Sequence, residues 1–299
     1  VGGTATSSVT YVCSEPFTLG IVGISTGNGL TYQWQVSSDS TTWTDIPGAT
    51  NFNHTLTQVG TSWYRMKVYC SFSDSSAVSE PVKVISPTPV HGTFTINNAQ
   101  PTGGTNFNTF NEAYEFIKCG IDGPVVFNVL AGAGPYEEQL IMRAVPGASP
   151  VNTVTFKGDG TATIGYANTT NDQRAIIKLN GTRFIIFDSL NIVASEGDYG
   201  FGVQLMANTD SNVVRNCTIT LPMTGASTNY AGIVISGSAT SATGTGTVLS
   251  DGNIFEGNTI IGGYYGITLM ATFTGGANGN NKILNNTIQD FYEYGIYAG

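Results

Sequence analysis

The chain has 299 residues, a formal net charge of −9, and only 10% charged residues against 40% hydrophobic ones. Nucleic-acid binding depends on clustered lysine and arginine, and the 11 basic residues are scattered along the sequence, so we exclude this class. No stretch approaches the roughly 18 apolar residues that cross a membrane as a helix. The composition favours a β-rich secreted protein, and the length predicts about two domains.

Residues 1–86 contain short runs of alternating apolar and polar residues, separated by turn clusters such as STGNG and SSDSTTW. Several short strands at this spacing predict a β-sandwich. Trp34, in YQWQ, stands where an immunoglobulin sandwich buries a tryptophan on its third strand, and Tyr64, in WYRM, has the placement of a tyrosine-corner residue. We therefore predict an immunoglobulin-like (Ig-like) β-sandwich for this region.

The cysteines of this region do not follow the antibody pattern. Leu19 and Met66 take the two positions that carry the buried disulfide of antibody domains, so apolar packing is expected there. Cys13 and Cys70 lie six residues before Leu19 and four after Met66. An extracellular compartment favours a Cys13–Cys70 disulfide and the strand register opposes it. Two free or differently paired thiols are the alternative.

A linker and a short helix come next. The segment ISPTPVHG has two prolines and little periodicity, so residues 87–94 are predicted to be a linker. The second domain, 95–299, opens with a short helix, because Thr109 and Glu112 have the spacing of a capping box. Its predicted apolar face consists of Phe110, Ala113, Phe116 and Ile117.

An internal repeat runs from Arg183 onward. In four successive segments, one strand carries an isoleucine and a later strand carries a glycine before an aliphatic residue. The isoleucines are Ile192, Ile219, Ile260 and Ile288. The longest interval contains the polar segment SGSATSATGTGTVLSDG, which we expect to be a loop thrown out between strands. Repeats that keep strand phase but vary in loop length predict a solenoid of stacked coils. We expect it to begin near residue 125 and to be covered at its first coil by the short helix.

Two further features belong to this repeat. Asn258 and Asn286 fall at equivalent positions of successive coils, where side-chain amides can hydrogen-bond along the solenoid axis. We predict an asparagine ladder that ends at Cys217 and Leu190 on its N-terminal side. The last residues, YEYGIYAG, stand inside a coil, so we expect the second domain to be incomplete at the C-terminus and the protein to continue beyond Gly299.

Through its N-x-[TI]-I and G-[IV] repeats, the second domain resembles the pectin-lyase-like superfamily of right-handed parallel β-helices. The stretch from TINNAQPTGG to YEEQL is similar to the N-terminal caps of large surface or secreted Bacteroidota proteins that use type IX secretion. The first domain, with YQWQVSSDSTTWTDIPGAT, is similar to the Ig-like modules that accompany such caps. The resemblance implies an all-β extracellular protein, with an Ig-like β-sandwich followed by the N-terminal capped part of a right-handed parallel β-helix. It does not imply one activity, because β-helices serve enzymes, adhesins and stalks.

Candidate catalytic groups are sparse. Pectate-lyase-like catalysis needs clustered acidic residues that hold Ca²⁺ beside a base, and glycoside hydrolysis needs paired carboxylates. The acidic residues of the second domain are dispersed, and the GHG and RIK motifs of polygalacturonase relatives are absent. Asp188 lies near Arg183 and one coil from Arg215, which favours its ionised form. We interpret it as part of a structural ion pair, with catalysis as the alternative.

Metal and cofactor sites are also weakly indicated. Glu196 and Asp198, in ASEGDYG, are candidate ligands of a cation such as Ca²⁺, and a solvated turn is the alternative. Cys119, in the helix, and Cys217, in a strand, lie far from a second ligand and are predicted to be buried structural thiols. No other metal or cofactor is predicted.

The candidate binding residues are aromatic. An aromatic run precedes the repeated glycine of each coil, and because coils stack at about 4.8 Å, these rings should form a strip up one side of the helix. Tyrosine has an apolar face and a polar tip, which suits a sugar ring or a protein partner; a stabilising stack at the coil corner is the alternative. The strip consists of Tyr199, Phe201, Tyr230, Tyr264, Tyr265, Tyr292 and Tyr294.

The acidic charge and the dispersed carboxylates favour a noncatalytic extracellular or cell-surface module, adhesin-like or carbohydrate-binding, whose partner is a polysaccharide or a surface protein. A polysaccharide lyase or glycoside hydrolase with its active site on later coils is the first rival. A structural component of an extracellular assembly is the second.

Overall fold

The computed structural model describes residues 2–13, 15–58, 60–223, 226–246, 250–270 and 279–299. The chain divides into two compact units, Val1–Pro89 and Val90–Gly299. The described residues form an all-β protein with a single short α-helix. No helix in these ranges has the length and apolar character needed to cross a membrane.

The described part of the first unit consists of short antiparallel strands. They are β1 (Thr4–Ser7), β2 (Phe17–Val22), β3 (Leu30–Ser37), β4 (Thr44–Asp45), β5 (His54–Leu56), β6 (Ser62–Cys70), β7 (Ser75–Val78) and β8 (Val82–Val84). One sheet has the order β1-β2-β5, and the other has the order β4-β3-β6-β7, with β8 also paired to β6.

The two sheets of the first unit share one apolar core. Leu19 from the first sheet and Met66 from the second are both completely buried in it, as apolar packing in place of a disulfide requires. Trp34 is buried on β3, and the buried Tyr64 donates a hydrogen bond from its hydroxyl to Oε1 of Gln58 at 2.8 Å. The Ig-like assignment of this unit stays a prediction.

Of the two alternatives for Cys13 and Cys70, the disulfide between them is not formed. Cys70 is a free thiol, whereas Cys13 is disulfide-bonded. The backbone carbonyl of Cys13 accepts a hydrogen bond from Ser86 at 3.1 Å, just beyond Val84, which pairs with Ser62 at the start of β6. Cys70 is at the other end of β6, eight residues after Ser62. At about 3.3 Å per residue, the two ends of the strand are roughly 26 Å apart. A disulfide needs Cα atoms within about 7 Å.

The second unit begins earlier than predicted, because residues 90–94 of the expected linker lie in a strand. Its elements are β9 (Val90–Ile96), β10 (Asn106–Phe107), α1 (Phe110–Ile117), β11 (Ile121–Val129), β12 (Tyr136–Glu137), β13 (Leu140–Arg143), β14 (Val154–Lys157), β15 (Thr163–Gly165), β16 (Ala175–Asn180), β17 (Ile185–Asp188), β18 (Asn191–Val193), β19 (Gly200–Met206), β20 (Val213–Arg215), β21 (Thr218–Thr220), β22 (Tyr230–Ile235), β23 (Ile254–Glu256), β24 (Thr259–Ile261), β25 (Tyr265–Leu269), β26 (Lys282–Leu284), β27 (Thr287–Gln289) and β28 (Tyr294–Ala298).

These strands form a parallel β-solenoid of the right-handed type, with about seven turns in the described residues. The first sheet has the order β10-β9-β11-β14-β17-β20-β23-β26. The second sheet is β12-β15-β18-β21-β24-β27, and the third is β13-β16-β19-β22-β25-β28. From β11 onward, each coil contributes one strand to each sheet, so equivalent positions of successive coils become direct neighbours.

The repeat predicts the register of the coils correctly. Ile192, Ile219, Ile260 and Ile288 are paired one above another in the second sheet. The corner between the first and second sheets also repeats, because one residue in each coil has a positive φ that glycine and asparagine tolerate. The later corner residues are Asn216 (φ 53°), Gly257 (φ 63°) and Asn285 (φ 53°).

The solenoid begins before the predicted start near residue 125. β9 pairs in parallel with β11, and β10 pairs in parallel with β9, so both strands already belong to the first sheet. These two strands lack the isoleucine and glycine pattern of the later coils, because α1 follows them in place of second and third strands. A prediction based on the repeated motif therefore misses the first coil of the solenoid.

The predicted helix is present, with a modified cap. The backbone N–H of Glu112 donates to the hydroxyl of Thr109 at 3.0 Å, whereas the carboxylate of Glu112 accepts from the N–H of Asn108 at 2.8 Å. The buried face of α1 includes Phe110 and packs into the solenoid core. Cys119, just beyond the helix, is disulfide-bonded, so its prediction as a free buried thiol is wrong.

The predicted asparagine ladder forms. The N–H of Cys217 donates to Oδ1 of Asn258 at 3.0 Å, and the N–H of Asn258 donates to Oδ1 of Asn286 at 2.9 Å. Each amide also donates from Nδ2 to a backbone carbonyl, at 2.8 Å for both asparagines. Cys217 itself is a buried free thiol, as predicted, and burial raises its pKa to about 12.

A second asparagine ladder lies at the preceding corner. The N–H of Asn212 donates to Oδ1 of Asn253 at 3.0 Å, and the N–H of Asn253 donates to Oδ1 of Asn281 at 2.9 Å. The side chain of Asn212 in turn accepts from the N–H of Ile185 at 3.0 Å. Each coil in this region is thus tied to its neighbour by buried amides at two corners, as well as by its sheets.

The long polar loop is not thrown out into solvent. Its described part folds back onto the outer face of the third sheet, where the hydroxyl of Thr268 donates to the carbonyl of Ala242 at 2.8 Å. Ala242 is buried in a small cluster that includes Phe201. Residues 247–249 of this loop lie outside the described residues. The outer face at this point is apolar, and covering it removes that surface from water.

Candidate binding surface

One register of the third sheet carries three of the seven residues of the predicted aromatic strip. Phe201 pairs with Ala231, Ala231 with Tyr265, and Tyr265 with Tyr294, so alanine interrupts the register. Tyr230 lies one position earlier and pairs with Gly200. The environments of these residues nevertheless differ strongly from coil to coil.

Phe201 is completely buried under the folded-back loop, in the cluster that contains Val234 and Ala242. Its prediction as a binding residue is wrong, because its ring has no surface to offer a ligand. The sequence repeat places Phe201 on the outer face of the sheet. In the folded protein, the loop that contains Ala242 covers that face.

Tyr199 and Tyr230 support the corner of their coils. The guanidinium carbon of Arg174 lies 4.5 Å from the ring centroid of Tyr199, and Arg174 is only 8% exposed. Its Nη1 donates to Oδ1 of Asn229 at 3.0 Å. The hydroxyl of Tyr230 donates to the carbonyl of Gly197 at 2.7 Å. Burial raises the pKa of Tyr230, so this donor stays protonated at neutral pH. These contacts fit the predicted alternative, a stabilising stack.

The rings on the last two described coils form a group that we name the tyrosine cluster. Tyr265 and Tyr294 are stacked with an interplanar angle of 7° and ring centroids 6.2 Å apart. Other ring centroids in the group lie 4.7–5.8 Å apart. The members are Tyr264, Tyr265, Tyr292, Tyr294 and Tyr297.

The tyrosine cluster is partly open to solvent. Tyr292 is 60% exposed and Tyr294 is 43% exposed, whereas Tyr265 is half-buried. Burial raises the pKa values of Tyr264 and Tyr265, and the charge of Glu293 adds to this effect at Tyr264. Their hydroxyls therefore stay protonated at neutral pH. The surface offers aromatic faces together with groups that can donate and accept hydrogen bonds.

Tyr297 is a member that the sequence prediction missed. It pairs with Thr268, which pairs with Val234, so these residues form a second outward register three positions after the aromatic one. The glycine and aliphatic residues between the two registers point inward, since a Cβ placed on Gly266 would lie only 2.4 Å from Cγ2 of the core residue Ile288. A search for outward residues on both sides of the repeated Gly-Ile pair would have found Tyr297.

The candidate cation ligands occupy an exposed loop. Glu196 lines a cleft of about 500 Å³ on the second sheet, together with Glu137 and Tyr166. The backbone N–H of Asp198 donates to the carbonyl of Asn168 at 2.7 Å. The described residues contain no group of three or more acidic, histidine or cysteine side chains arranged to hold a metal ion. A cation at this loop stays a prediction.

Asp188 forms a structural ion pair with Arg215, as interpreted from the sequence. Nε and Nη2 of Arg215 lie 2.9 and 2.8 Å from Oδ2 of Asp188. Burial by itself would raise the pKa of Asp188, but hydrogen bonds from Asn216 and Arg215 outweigh it and place the pKa below its ordinary value. Arg183, the other expected partner, instead pairs with Asp210 at 2.9 Å. The carboxylate is thus already engaged by structural partners.

Comparisons with known proteins describe the chain only in outline. Residues 1–86 match the model of a family described as a domain of unknown function, DUF8696. A search of curated proteins returns no match.

Two solved structures are similar at low identity. A pectin methylesterase from Aspergillus niger is 15% identical, with a TM-score of 0.32 over 70% of this chain and 90% of that one. A family 28 exopolygalacturonase from Yersinia enterocolitica is 10% identical, with a TM-score of 0.23 over 100% of this chain and 86% of that one. The assignment of the fold therefore rests on the three parallel sheets themselves.

Proposed function

We propose that the protein is a noncatalytic extracellular module that binds carbohydrate through the tyrosine cluster. The observation that carries this proposal is the connected set of five tyrosines on two adjacent coils, of which Tyr292 and Tyr294 are the most exposed. The apolar face of a sugar ring can stack on a tyrosine ring, and its hydroxyls can hydrogen-bond to the phenol. Strands of neighbouring coils are about 4.8 Å apart, and the paired Tyr265 and Tyr294 are stacked one above the other.

The noncatalytic part of the proposal is supported by the state of Asp188, the most prominent carboxylate of the sequence analysis. Its oxygens accept hydrogen bonds from Arg215, Asn216 and Ser189, at 2.9–3.1 Å. A carboxylate held in this way is stabilised as an anion and is a poor general acid.

The extracellular setting is supported by Cys13, which is disulfide-bonded, since disulfides persist in oxidising compartments. An Ig-like first unit, adhesin-like display on a cell surface and export by type IX secretion belong to the same proposal. These finer features rest on the sequence resemblance. A surface-protein partner and a structural role in an extracellular assembly are its rivals.

The decisive variant of the full chain is the double substitution Tyr292→Ala and Tyr294→Ala. A glycan array identifies ligands of the unmodified chain, and calorimetry then compares the two proteins. We expect about a tenfold loss of affinity, since an aromatic contact contributes about 0.5–1.5 kcal/mol beyond its buried area.

Tyr166→Ala is the matched control, because Tyr166 is equally exposed at 43% but lies at the cleft of the second sheet. Equal binding by the double variant and the unmodified chain would remove the tyrosine cluster as the binding site. Cleavage of the bound glycan during the measurement would replace the noncatalytic role by an enzymatic one.

A further inference from the structure

The basic residues of the first unit gather on one face of a sheet. Its only lysine and arginine residues are Arg65, Lys67 and Lys83. Arg65 and Lys67 alternate along β6 with buried residues such as Met66, so their side chains point away from the core. Lys83, on β8, pairs directly with Trp63 of β6. Strand pairing thus places Lys83 beside the strand that carries Arg65 and Lys67.

Two tryptophans lie among these cations. The guanidinium carbon of Arg65 is 4.2 Å from the ring centroid of Trp43, and Nζ of Lys83 is 4.9 Å from that of Trp63. Both indoles are partly exposed. Cation–π contacts of this kind hold a positive charge and a flat apolar ring side by side. We name Trp43, Trp63, Arg65, Lys67 and Lys83 the cationic sheet face.

No ion pair within 4.0 Å involves Arg65, Lys67 or Lys83 in the described residues. All ion pairs within 4.0 Å in the described parts of the chain lie in the second unit. Two carboxylates are held by polar neighbours: Asp74 accepts from the hydroxyl of Tyr69 at 2.9 Å, and Asp45 accepts from Nε2 of Gln35 at 2.8 Å. Oε1 of Gln35 accepts from Nε of Arg65 at the same distance, so the amide separates the two charges.

We propose that the cationic sheet face binds an acidic polysaccharide. The positive face stands out on a protein whose net charge is −9, and it is complementary to a polyanion. The tryptophan rings provide flat surfaces for sugar rings, and the adjacent cations provide partners for uronate carboxylates. This site lies in the first unit and takes a charged ligand, so it goes beyond the function proposed for the tyrosine cluster.

The test uses the full chain, with polygalacturonate and alginate as polyuronate probes and fully methyl-esterified polygalacturonate as the uncharged counterpart. We expect the unmodified chain to bind the polyuronates, with an affinity that falls as salt is added. The triple variant Arg65→Gln, Lys67→Gln, Lys83→Gln should lose affinity about tenfold or more. Far-UV circular dichroism checks that the variant is folded.

A matched triple variant removes the same number of charges elsewhere. Arg143→Gln, Lys157→Gln, Lys282→Gln changes three exposed basic residues of the second unit and should leave polyuronate binding within about twofold of the unmodified chain. Trp63→Ala should weaken binding without changing the net charge. The double variant Tyr292→Ala, Tyr294→Ala lacks the exposed rings of the tyrosine cluster. When the triple substitution of the cationic sheet face is added to it, the loss of polyuronate affinity should be the same as in the unmodified chain.

The proposal is wrong if the unmodified chain binds neither polyuronate. It is also wrong if the triple variant of the cationic sheet face binds as well as the unmodified chain, or if the matched triple variant of the second unit loses as much affinity. Equal binding of the methyl-esterified probe would show that charge is not recognised. Equally tight binding of polyglutamate, with no effect of Trp63→Ala, would indicate an acidic protein partner instead.

Discussion

The outer face of the third sheet differs between its earlier and later coils. Around Phe201, the face is covered by the returning loop and by the corner contacts of Arg174. Around Tyr294, three coils later, the same register carries partly exposed tyrosines. Equivalent positions of the repeat thus share one strand register but differ in solvent exposure. At Phe201, the returning loop rather than the repeat determines that the ring is buried.

The largest expected difference is in stability. Phe201→Ala should lower the free energy of unfolding by about 3–5 kcal/mol, because it leaves a cavity in a covered cluster. Tyr294→Ala should cost less than about 1 kcal/mol, as exposed substitutions usually do. Denaturant unfolding of both variants measures the contrast. Similar costs at the two positions would mean that the faces are covered to the same extent.

A buried charge in the first sheet, Asp188, allows a similar comparison between a buried and an exposed side chain. Asp188→Asn should cost about 2 kcal/mol at about pH 7, since hydrogen bonds to a charged group are the stronger ones. The pKa of Asp188 is lowered by folding, so its contribution is present above the unfolded pKa of about 3.9 and is lost as pH falls through the lower folded pKa.

The difference in stability between the unmodified chain and Asp188→Asn should therefore shrink in acid, as measured by urea unfolding at about pH 7 and at about pH 3. Asp172→Asn, at an exposed carboxylate, is the control and should cost little at either pH. A difference for Asp188→Asn that is independent of pH would contradict the ion-pair interpretation.

The smallest expected effect concerns the corner contact of the earlier coils. A double-mutant cycle with Arg174→Met and Tyr199→Ala should give a coupling energy of about 1 kcal/mol, because the guanidinium lies over the ring in a partly desolvated site. A second cycle that pairs Arg174→Met with Tyr166→Ala should show no coupling. Zero coupling in the first cycle would assign Tyr199 to the open part of the face.

The sequence allowed the solenoid to be predicted well where its pattern is periodic. Ile219 and Ile260 are 41 residues apart, yet they are correctly predicted as neighbours because both end the same short motif. The ladder at Asn212, Asn253 and Asn281 has the same intervals of 41 and 28 residues and could have been found in the same way. The first coil could not, since β9 and β10 carry no copy of the motif.

By itself, the sequence determined the stacking of the coils, because each turn repeats the residues that its neighbours need for a common core and for buried amides at the corners. Only the tertiary structure decided which outward rings stay exposed, since a distant loop covers Phe201. It also brought Lys83 and Trp43 to the face of β6 that carries Arg65, through contacts between segments that no local pattern specifies. Register within a repeat is a short-range property, whereas exposure and charge clustering depend on segments that meet only after folding.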